Sequence, residues 1–503
     1  MRGRAGCVAA DHTLAAGTGY RVLRAGGTGA DAAIAMAAVM TVVQPHYSHI
    51  GGDAFAVTYR RSDGHVQALN SSGPSPAGWD VEAARQQGEV PTDGAQAVTV
   101  PGCVGGWWAL HEDGGKLPWA ALFEDAIMLA RDGFPATRGL ERAAASWPGR
   151  GIGSGYFDKT FGHVTGNEGA QVVQPALAAT LETIAREGAA GFYGGGVAEA
   201  CLRTLQQDGG AHDARDWRSP ARREEPLQVA FRGHTVHIQP PPSRGLVLAL
   251  ALQAYEAALT GGVDSIATSQ FRALEHAFDR VNAEAGDPTV VDFDGYRFLE
   301  ERQATNEPVT PRADGDTTYL LAVDTEGNAV SFIQSVFEPW GSGLWCPETG
   351  ILFNNRAAGF TLQRGHPNDA APGKRPMHTL HSYLVTDSAS GELRLVGGAP
   401  GAHRQPTTNL QMIDAVLRQG MDPQDALDLP RWSVGSRWNG TSTVELESRP
   451  GSELAKEFER NGIIVRPEAG WHGKMGRASL ATAREAGIAS GSDLRGEGAA
   501  LVL

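Results

Sequence analysis

The chain has 503 residues, with 43 basic and 57 acidic side chains and a net charge of −14 at neutral pH. That length suits two to four average domains or one large α/β unit, and it can bury a large core without cross-links. The acidic balance argues against a nucleic-acid footprint but leaves room for a local basic pocket. Cys7, Cys103, Cys201 and Cys346 are widely scattered. They form no CxxC or Cys/His spacing, so they read as small buried residues and not as a disulfide framework or metal site. The first residues lack an apolar signal core, and no stretch approaches the roughly 18 apolar residues of a membrane span. No cofactor is implied.

In chain order, residues 30–43 are small and apolar, interrupted only by Asp31, and follow the turn Gly26-Gly-Thr-Gly29. They read as a buried helix. The glycines lack the spacing and the Lys-Ser/Thr of a phosphate loop, so close helix packing is the simpler explanation. Gln44-Pro-His46-Tyr-Ser-His49-Ile-Gly-Gly-Asp53 reads as an irregular loop lining a substrate site. Its two histidines have no evident third partner for a metal. An alternating strand follows over 54–59. Residues 98–111 read as a strand, a glycine turn and a helix start, and residues 119–131 as an amphipathic helix. Further helices are expected over 176–187, 195–208, 246–259 and 271–285, the last carrying a structural His276. Residues 213–225 are dense in charge, the mark of a solvated face or flexible loop. Residues 229–238 alternate like one strand leading into the proline-stiffened Gln239-Pro-Pro-Pro-Ser-Arg-Gly245.

From Thr317 the texture changes to short strands with turns: 317–323, 329–335, 351–354, 382–386 and 393–396. Helices return at 405–419 and 423–427. The first two strands read as a hairpin around Asp324-Thr-Glu-Gly-Asn328, with Thr317, Tyr319, Leu321 and Val323 on one face. A turn symmetric about Glu326 sets Val323 opposite Ala329 and Thr317 opposite Ser335. Opposed Cβ atoms lie roughly 4.5–5.5 Å apart, within reach of a hydroxyl–hydroxyl hydrogen bond; a single bulge would break the registry. A threonine at a strand head is ordinarily structural. Thr317 becomes chemical only if the Asp316–Thr317 bond is cut, which gives it an α-amino base beside its own hydroxyl. Such an amine titrates near pKa 7.7–8.0. Composition and spacing do not establish that cut.

The run Thr317-Thr-Tyr…Asp324…Gly327-Asn-Ala-Val330…Ser335…Gly341-Ser-Gly343…Glu348-Thr-Gly-Ile-Leu-Phe-Asn-Asn355 resembles the small-subunit start of the γ-glutamyltranspeptidase family. Gly26-Gly-Thr-Gly-Ala-Asp-Ala-Ala33, Ile50-Gly-Gly-Asp53, Pro240-Pro-Pro-Ser-Arg-Gly245, Pro372-Gly-Lys-Arg-Pro376 and Gly397-Gly-Ala-Pro-Gly401 match in the same order. The resemblance covers nearly the whole chain, from about residue 7. It implies an α/β fold, a four-layer α-β-β-α sandwich of the N-terminal-nucleophile hydrolase type. It also implies self-cleavage at Asp316–Thr317 into a large subunit, 1–316, and a small subunit, 317–503, intertwined in one core. A dimer of such heterodimers is left open. Thr317 would be the nucleophile, Ser335 (usually Thr in the family) would hold its rotamer, and the Gly401 and Ala402 N–H groups would receive the oxyanion. Family members are commonly exported or membrane-anchored. This chain begins where the folded domain begins, so we expect a cytoplasmic location.

Substrate anchoring departs from the family pattern. The early strand region reads Leu69-Asn-Ser-Ser-Gly-Pro-Ser-Pro76, without the family's Arg. Phe337 replaces an Asn, Arg356 a Gln, Gly359 an Asp, and His378 and Thr379 a pair of serines, with Asn355 retained. The carboxylate that grips a γ-glutamyl α-amino group is thus missing. The expected substrate is a small acidic molecule whose anionic acyl group lacks a free amine and is held by Arg356; a purely structural Arg356 is the other reading. The pattern is closer to divergent branches that include oxamate amidohydrolase-like enzymes and biosynthetic members breaking other acyl or C–C bonds. A catalytically weak relative that only binds a metabolite is the competing class.

Overall fold

The computed structural model describes residues 1–147, 153–263, 265–300, 315, 317–436, 440–447, 451–468, 470, 473–484 and 487–503. Two seven-stranded sheets form its centre. In one, the order is Arg2–Gly3, Gly487–Ser492, Ser479–Arg484, Leu393–Gly398, Tyr383–Asp387, His234–Ile238 and Leu227–Phe231. In the other it is Ala499–Val502, Cys7–Ala10, Thr318–Val323, Ala329–Ser335, Asp53–Arg60, His65–Ser71 and Arg222–Glu224. We call these the first and second sheets. Both draw strands from either side of position 317.

Period-two alternation sorts the side chains into layers. Tyr319, Leu321, Phe55 and Val57 of the second sheet meet Leu384, Val396 and Ala481 of the first, forming the core between sheets. Leu320, Ala322, Val330 and Phe332 face the other way, into helices that include Gly29–Val43 and Cys103–Gly114. Tyr383, Val385 and Leu395 pack outward on helices Gly245–Gly261, Ile266–Glu284 and Gln405–Leu417. The result is the four-layer α-β-β-α sandwich. At the contact of the two sheets, a Cβ on Gly398 would lie 2.2 Å from the ring of Tyr319, so only glycine permits the approach.

Helix Gly29–Val43 is buried along its whole length, as expected for a helix apolar on every side. Its one charged residue has a local reason. Asp31 is the third helical residue and closes a capping box with Thr28: the Thr28 N–H donates to Asp31 Oδ2 at 2.9 Å, and the Asp31 N–H to Thr28 Oγ1 at 3.2 Å. The Gly29 N–H then donates to Asp324 Oδ2 at 3.0 Å, so the hairpin turn supplies the carboxylate at this helix's positive end. Asp324 Oδ1 also accepts the Glu326 and Asn328 N–H groups.

The hairpin has the expected register, Thr318 opposite Gln334 through Val323 opposite Ala329. Other expectations change. Residues 229–238 are not one strand but a hairpin, Leu227–Phe231 with His234–Ile238. It turns on Arg232 and Gly233, both at positive φ (51° and 80°), and an Arg at the first turn position carries no Asn or Asp signal. Residues 98–100 join no ladder; the Val100 N–H donates to Pro74 O, and Thr99 bonds the Asn354 side chain. Residues 119–131 divide into a 3₁₀ turn, Trp119–Phe123, and an α-helix, Glu124–Asp132. Part of the charged 213–225 stretch forms the edge strand Arg222–Glu224, where charge discourages further pairing. Among the described residues, no helix is long and apolar enough to cross a membrane.

Replacing Asp324 by Ala should remove the helix-end acceptor and the turn's own bonds together. The expected loss is about 2–3 kcal/mol, read as a lowered thermal or denaturant midpoint.

Candidate active site

Strand register builds the site. Thr318 pairs with Gln334, and Ser335 pairs with Asp53 on the next strand. Continuing the first ladder by one residue sets Thr317 across from Ser335. Thr317, Ser335 and Asp53 therefore form one row across three strands, on the face turned toward the first sheet. All three are buried. Asp316 lies outside the described residues.

Each member of the row is held. The Thr317 carbonyl accepts from Arg477 Nη2 at 3.0 Å, and the Arg477 guanidinium lies 4.6 Å from the ring centre of Tyr47. Ser335 Oγ accepts the Phe337 N–H at 2.8 Å. Asp53 accepts from Arg356 Nε at 3.0 Å and from the Gly73 N–H at 3.3 Å. Burial pushes the Asp53 carboxyl up to about 6, against the opposing pull of Arg356. Arg356 is fully buried, and its guanidinium lies 4.5 Å from the Phe337 ring centre.

The Gly401-Ala402 turn follows the first-sheet strand Leu393–Gly398 and precedes helix Gln405–Leu417. Gly401 has φ 129° and Ala402 φ 51°, so an alanine sits where glycine is at ease. Among the described residues, neither the Gly401 nor the Ala402 N–H donates a hydrogen bond. Gly315 passes alongside: a Cβ built on it would lie 3.4 Å from the Ala402 Cβ and 3.2 Å from the Phe337 carbonyl oxygen. Phe337, φ 85°, is likewise a non-glycine in the left-handed region. Two of the four non-glycine residues at positive φ among the described residues are thus candidate site residues, as expected where strain is retained for function.

The remaining candidates differ in how free they are. Asn355 is committed: its Nδ2 donates to Glu338 Oε2 at 2.8 Å and its Oδ1 accepts the Glu338 N–H. His378 is buried edge-on to Phe55, and neither ring nitrogen has a hydrogen-bond partner. Burial first, then Arg356 and Arg375, hold its pKa well below the usual imidazole value, so it is neutral at physiological pH. Thr379 and Phe337 line a cavity of about 370 Å³ together with Gly359, Met377 and Arg244. A second cavity, about 620 Å³, is lined by Gly315, Gly401, His46, Tyr47 and Arg477. Gln44, His46 and Tyr47 of the 44–53 loop thus line this second cavity. His49 serves the fold, its Nδ1 accepting the Leu352 N–H at 3.2 Å. Among the described residues, no three His, Cys, Asp or Glu side chains are grouped to hold a metal ion.

Sequence reasoning missed the partners. Asp53 was visible only within a glycine motif, and its pairing with Arg356 spans 303 positions. Arg375, inside the Lys-Arg-Pro motif, donates from Nε to Ser72 O at 2.8 Å. Arg477 carried no motif at all.

Three substitutions test this geometry. Asp53→Asn strands a buried guanidinium and should destabilise by about 3–5 kcal/mol; adding Arg356→Gln should restore most of the melting temperature. Ala402→Gly relieves a left-handed alanine and should raise stability by about 1 kcal/mol, leaving turnover within about twofold because the N–H is kept.

Comparison with known proteins agrees with this architecture. The family model for gamma-glutamyltranspeptidase matches residues 15–503. The chain is 32% identical to the oxamate amidohydrolase proenzyme of Klebsiella pneumoniae, covering 98% of both chains. It is 31% identical to the glutathione hydrolase-like YwrD proenzyme of Bacillus subtilis, again over 98% of both. Among solved structures, cephalosporin acylase from Bacillus halodurans superposes with a TM-score of 0.88 at 30% identity, covering 100% of this chain and 96% of that one. The chain belongs to the γ-glutamyltranspeptidase family of self-processing N-terminal-nucleophile hydrolases.

Proposed function

We propose that the mature enzyme begins at Thr317 and hydrolyses an amide of a small acidic molecule through a Thr317 ester. The observation that carries this reading is the path of Gly315 against Ala402, with Thr317 set across from Ser335. Gly315 thus lies against Ala402, next to two N–H groups that have no acceptor among the described residues.

Processing is an N-to-O acyl shift. Thr317 Oγ attacks the Asp316 carbonyl carbon, the C–N bond breaks, and the nitrogen becomes the Thr317 α-amino group. Water then splits the ester, leaving an Asp316 carboxylate and a free Thr317 hydroxyl. In turnover that amine takes the hydroxyl proton as Oγ attacks the substrate carbonyl, then delivers it to the departing amine. The Gly401 and Ala402 N–H groups receive the oxyanion, each such donor contributing roughly 2.7–4 kcal/mol. Water resolves the acyl-enzyme. Ser335, across the ladder from Thr317, would hold the attacking rotamer through a hydroxyl–hydroxyl hydrogen bond. The products of processing, 1–316 and 317–503, stay interleaved because both sheets use strands from each.

Phe337, Arg356, His378, Thr379 and Asn355 shape the acyl side, with Asn355 and Arg356 acting through Glu338 and Asp53. A γ-glutamyl group is disfavoured there because a glycine stands at the position of the family's acid. At Gly359, where the family has its acid, a Cβ would lie 3.0 Å from the Met377 carbonyl oxygen and 3.2 Å from Pro376 Cβ. A side chain there requires the Pro376-Met377 segment to give by a few tenths of an ångström. Relatives named as an oxamate amidohydrolase and a cephalosporin acylase support an amide of an acid as the substrate class.

Purified protein should run as two bands on a denaturing gel, and Thr317→Ala as one. N-terminal sequencing of the small band should begin Thr-Thr-Tyr-Leu; active protein still continuous through Thr317 would overturn the mechanism. γ-Glutamyl-p-nitroanilide should turn over far below the roughly 10 s⁻¹ typical of enzymes. Gly359→Asp should lower the melting temperature without conferring that activity.

A further inference from the structure

Five arginines are buried as whole residues among the described residues: Arg244, Arg280, Arg356, Arg431 and Arg477; the side chain of Arg495 is also buried, paired with Glu447 and Asp493. Four of the five have a carboxylate within ion-pairing distance. Arg280 has Glu284 at 3.6 Å, Arg356 has Asp53 at 3.0 Å, Arg431 has Asp493 at 2.5 Å and Arg477 has Asp11 at 3.9 Å. Arg244 is 6% exposed and is the exception. Its one side-chain hydrogen bond is from Nη2 to the neutral Asn282 Oδ1, at 3.2 Å, and its Nη1 is buried without a partner. Burial alone pulls its pKa down to about 10, with no neighbouring carboxylate to oppose it.

Its position gives that imbalance a purpose. Arg244 lines the 370 Å³ cavity with Phe337 and Thr379, two residues at the substrate-anchoring positions. Its own N–H donates to the His378 carbonyl at 2.8 Å, and Ser243 forms a bridge to the same residue, so its backbone is fixed to the site. The one carboxylate on that cavity wall, Glu89, is exposed and has an interaction of its own. An uncompensated buried cation is costly, and a carboxylate ligand compensates it. Arg356 differs in that its charge is met by Asp53 through Nε, although Nη1 and Nη2 have no hydrogen-bond partner among the described residues, and it lines neither cavity.

We propose that Arg244 is the specificity-determining residue of this enzyme, its guanidinium meeting a carboxylate on the acyl portion of the substrate in the cavity beside Phe337 and Thr379. This rests on the amide-hydrolase reading and replaces Arg356 with Arg244 as the direct anchor.

Three measurements on processed protein test it. The first compares succinyl- and glutaryl-p-nitroanilide with uncharged butyryl-p-nitroanilide. Arg244→Gln should lower kcat/KM for a carboxylate-bearing anilide by roughly 30-fold or more, chiefly through KM. Cleavage of the uncharged anilide should stay within about threefold, and Arg244→Lys should recover part of the loss. The second is calorimetric titration with succinate and glutarate, which wild type should bind and Arg244→Gln should not. The third is melting of the unliganded protein, where Arg244→Met should raise the midpoint because an uncompensated charge is removed. Equal loss on both kinds of anilide, a lowered Arg244→Met midpoint, or wild type binding neither dicarboxylate would overturn the assignment. If wild type cleaves no anilide but binds a dicarboxylate through Arg244, the hydrolase reading fails and the anion site stands.

Discussion

The hydrogen-bond register between Thr318–Val323 and Ala329–Ser335, extended to Asp53–Arg60, is the constraint on which the site depends. A slip of one residue would turn Tyr319 and Leu321 from the inter-sheet core toward the helices and scatter the row of Thr317, Ser335 and Asp53. Two features pin it. Alternating apolar residues on both faces are buried in different cores, so neither face tolerates exchange. The turn is locked by Asp324, whose carboxylate binds both the turn and the start of helix Gly29–Val43. The glycine-rich run before that helix thus binds an anion after all, one supplied by the chain itself.

Around this row the interior is unusually charged for so buried a place. Asp53 and Arg356 neutralise one another, Asn355 holds Glu338, and His378 stays neutral between cations. Such groups are costly to bury singly and are tolerated as pairs. The pairing has a functional consequence, because an arginine whose charge a carboxylate already balances is a weaker anchor for an anionic ligand. Arg244, whose charge no carboxylate among the described residues meets, is the place where the interior is still incomplete, and incompleteness of this kind is what a ligand repairs.

Backbone strain is concentrated in the same region. Phe337 and Ala402 both sit at positive φ, and both lie close to Gly315. Each is held by tight neighbours: Phe337 by its N–H on Ser335 and by Arg356 over its ring, Ala402 by the strand and helix that flank it. Gly359 too is closely packed, a Cβ built there lying 3.0 Å from the Met377 carbonyl oxygen.

Much of this was legible in the amino-acid order. The buried helix over 30–43, the hairpin registry, the helices of both outer layers and the family's motifs all follow from local periodicity, turn chemistry and short-range spacing. Those signals act over a few residues, so the strand of residues 98–100 and the single strand of 229–238 were misjudged where a distant side chain or an atypical turn residue decided. Tertiary structure alone revealed the partner of Arg356, the grip of Arg477 on Thr317, the close contacts at Gly359 and the lack of a carboxylate beside Arg244 among the described residues. Each depends on which charges and carbonyls meet across hundreds of positions, and electrostatic compensation is a property of neighbours in space, of which the order along the chain holds no local trace.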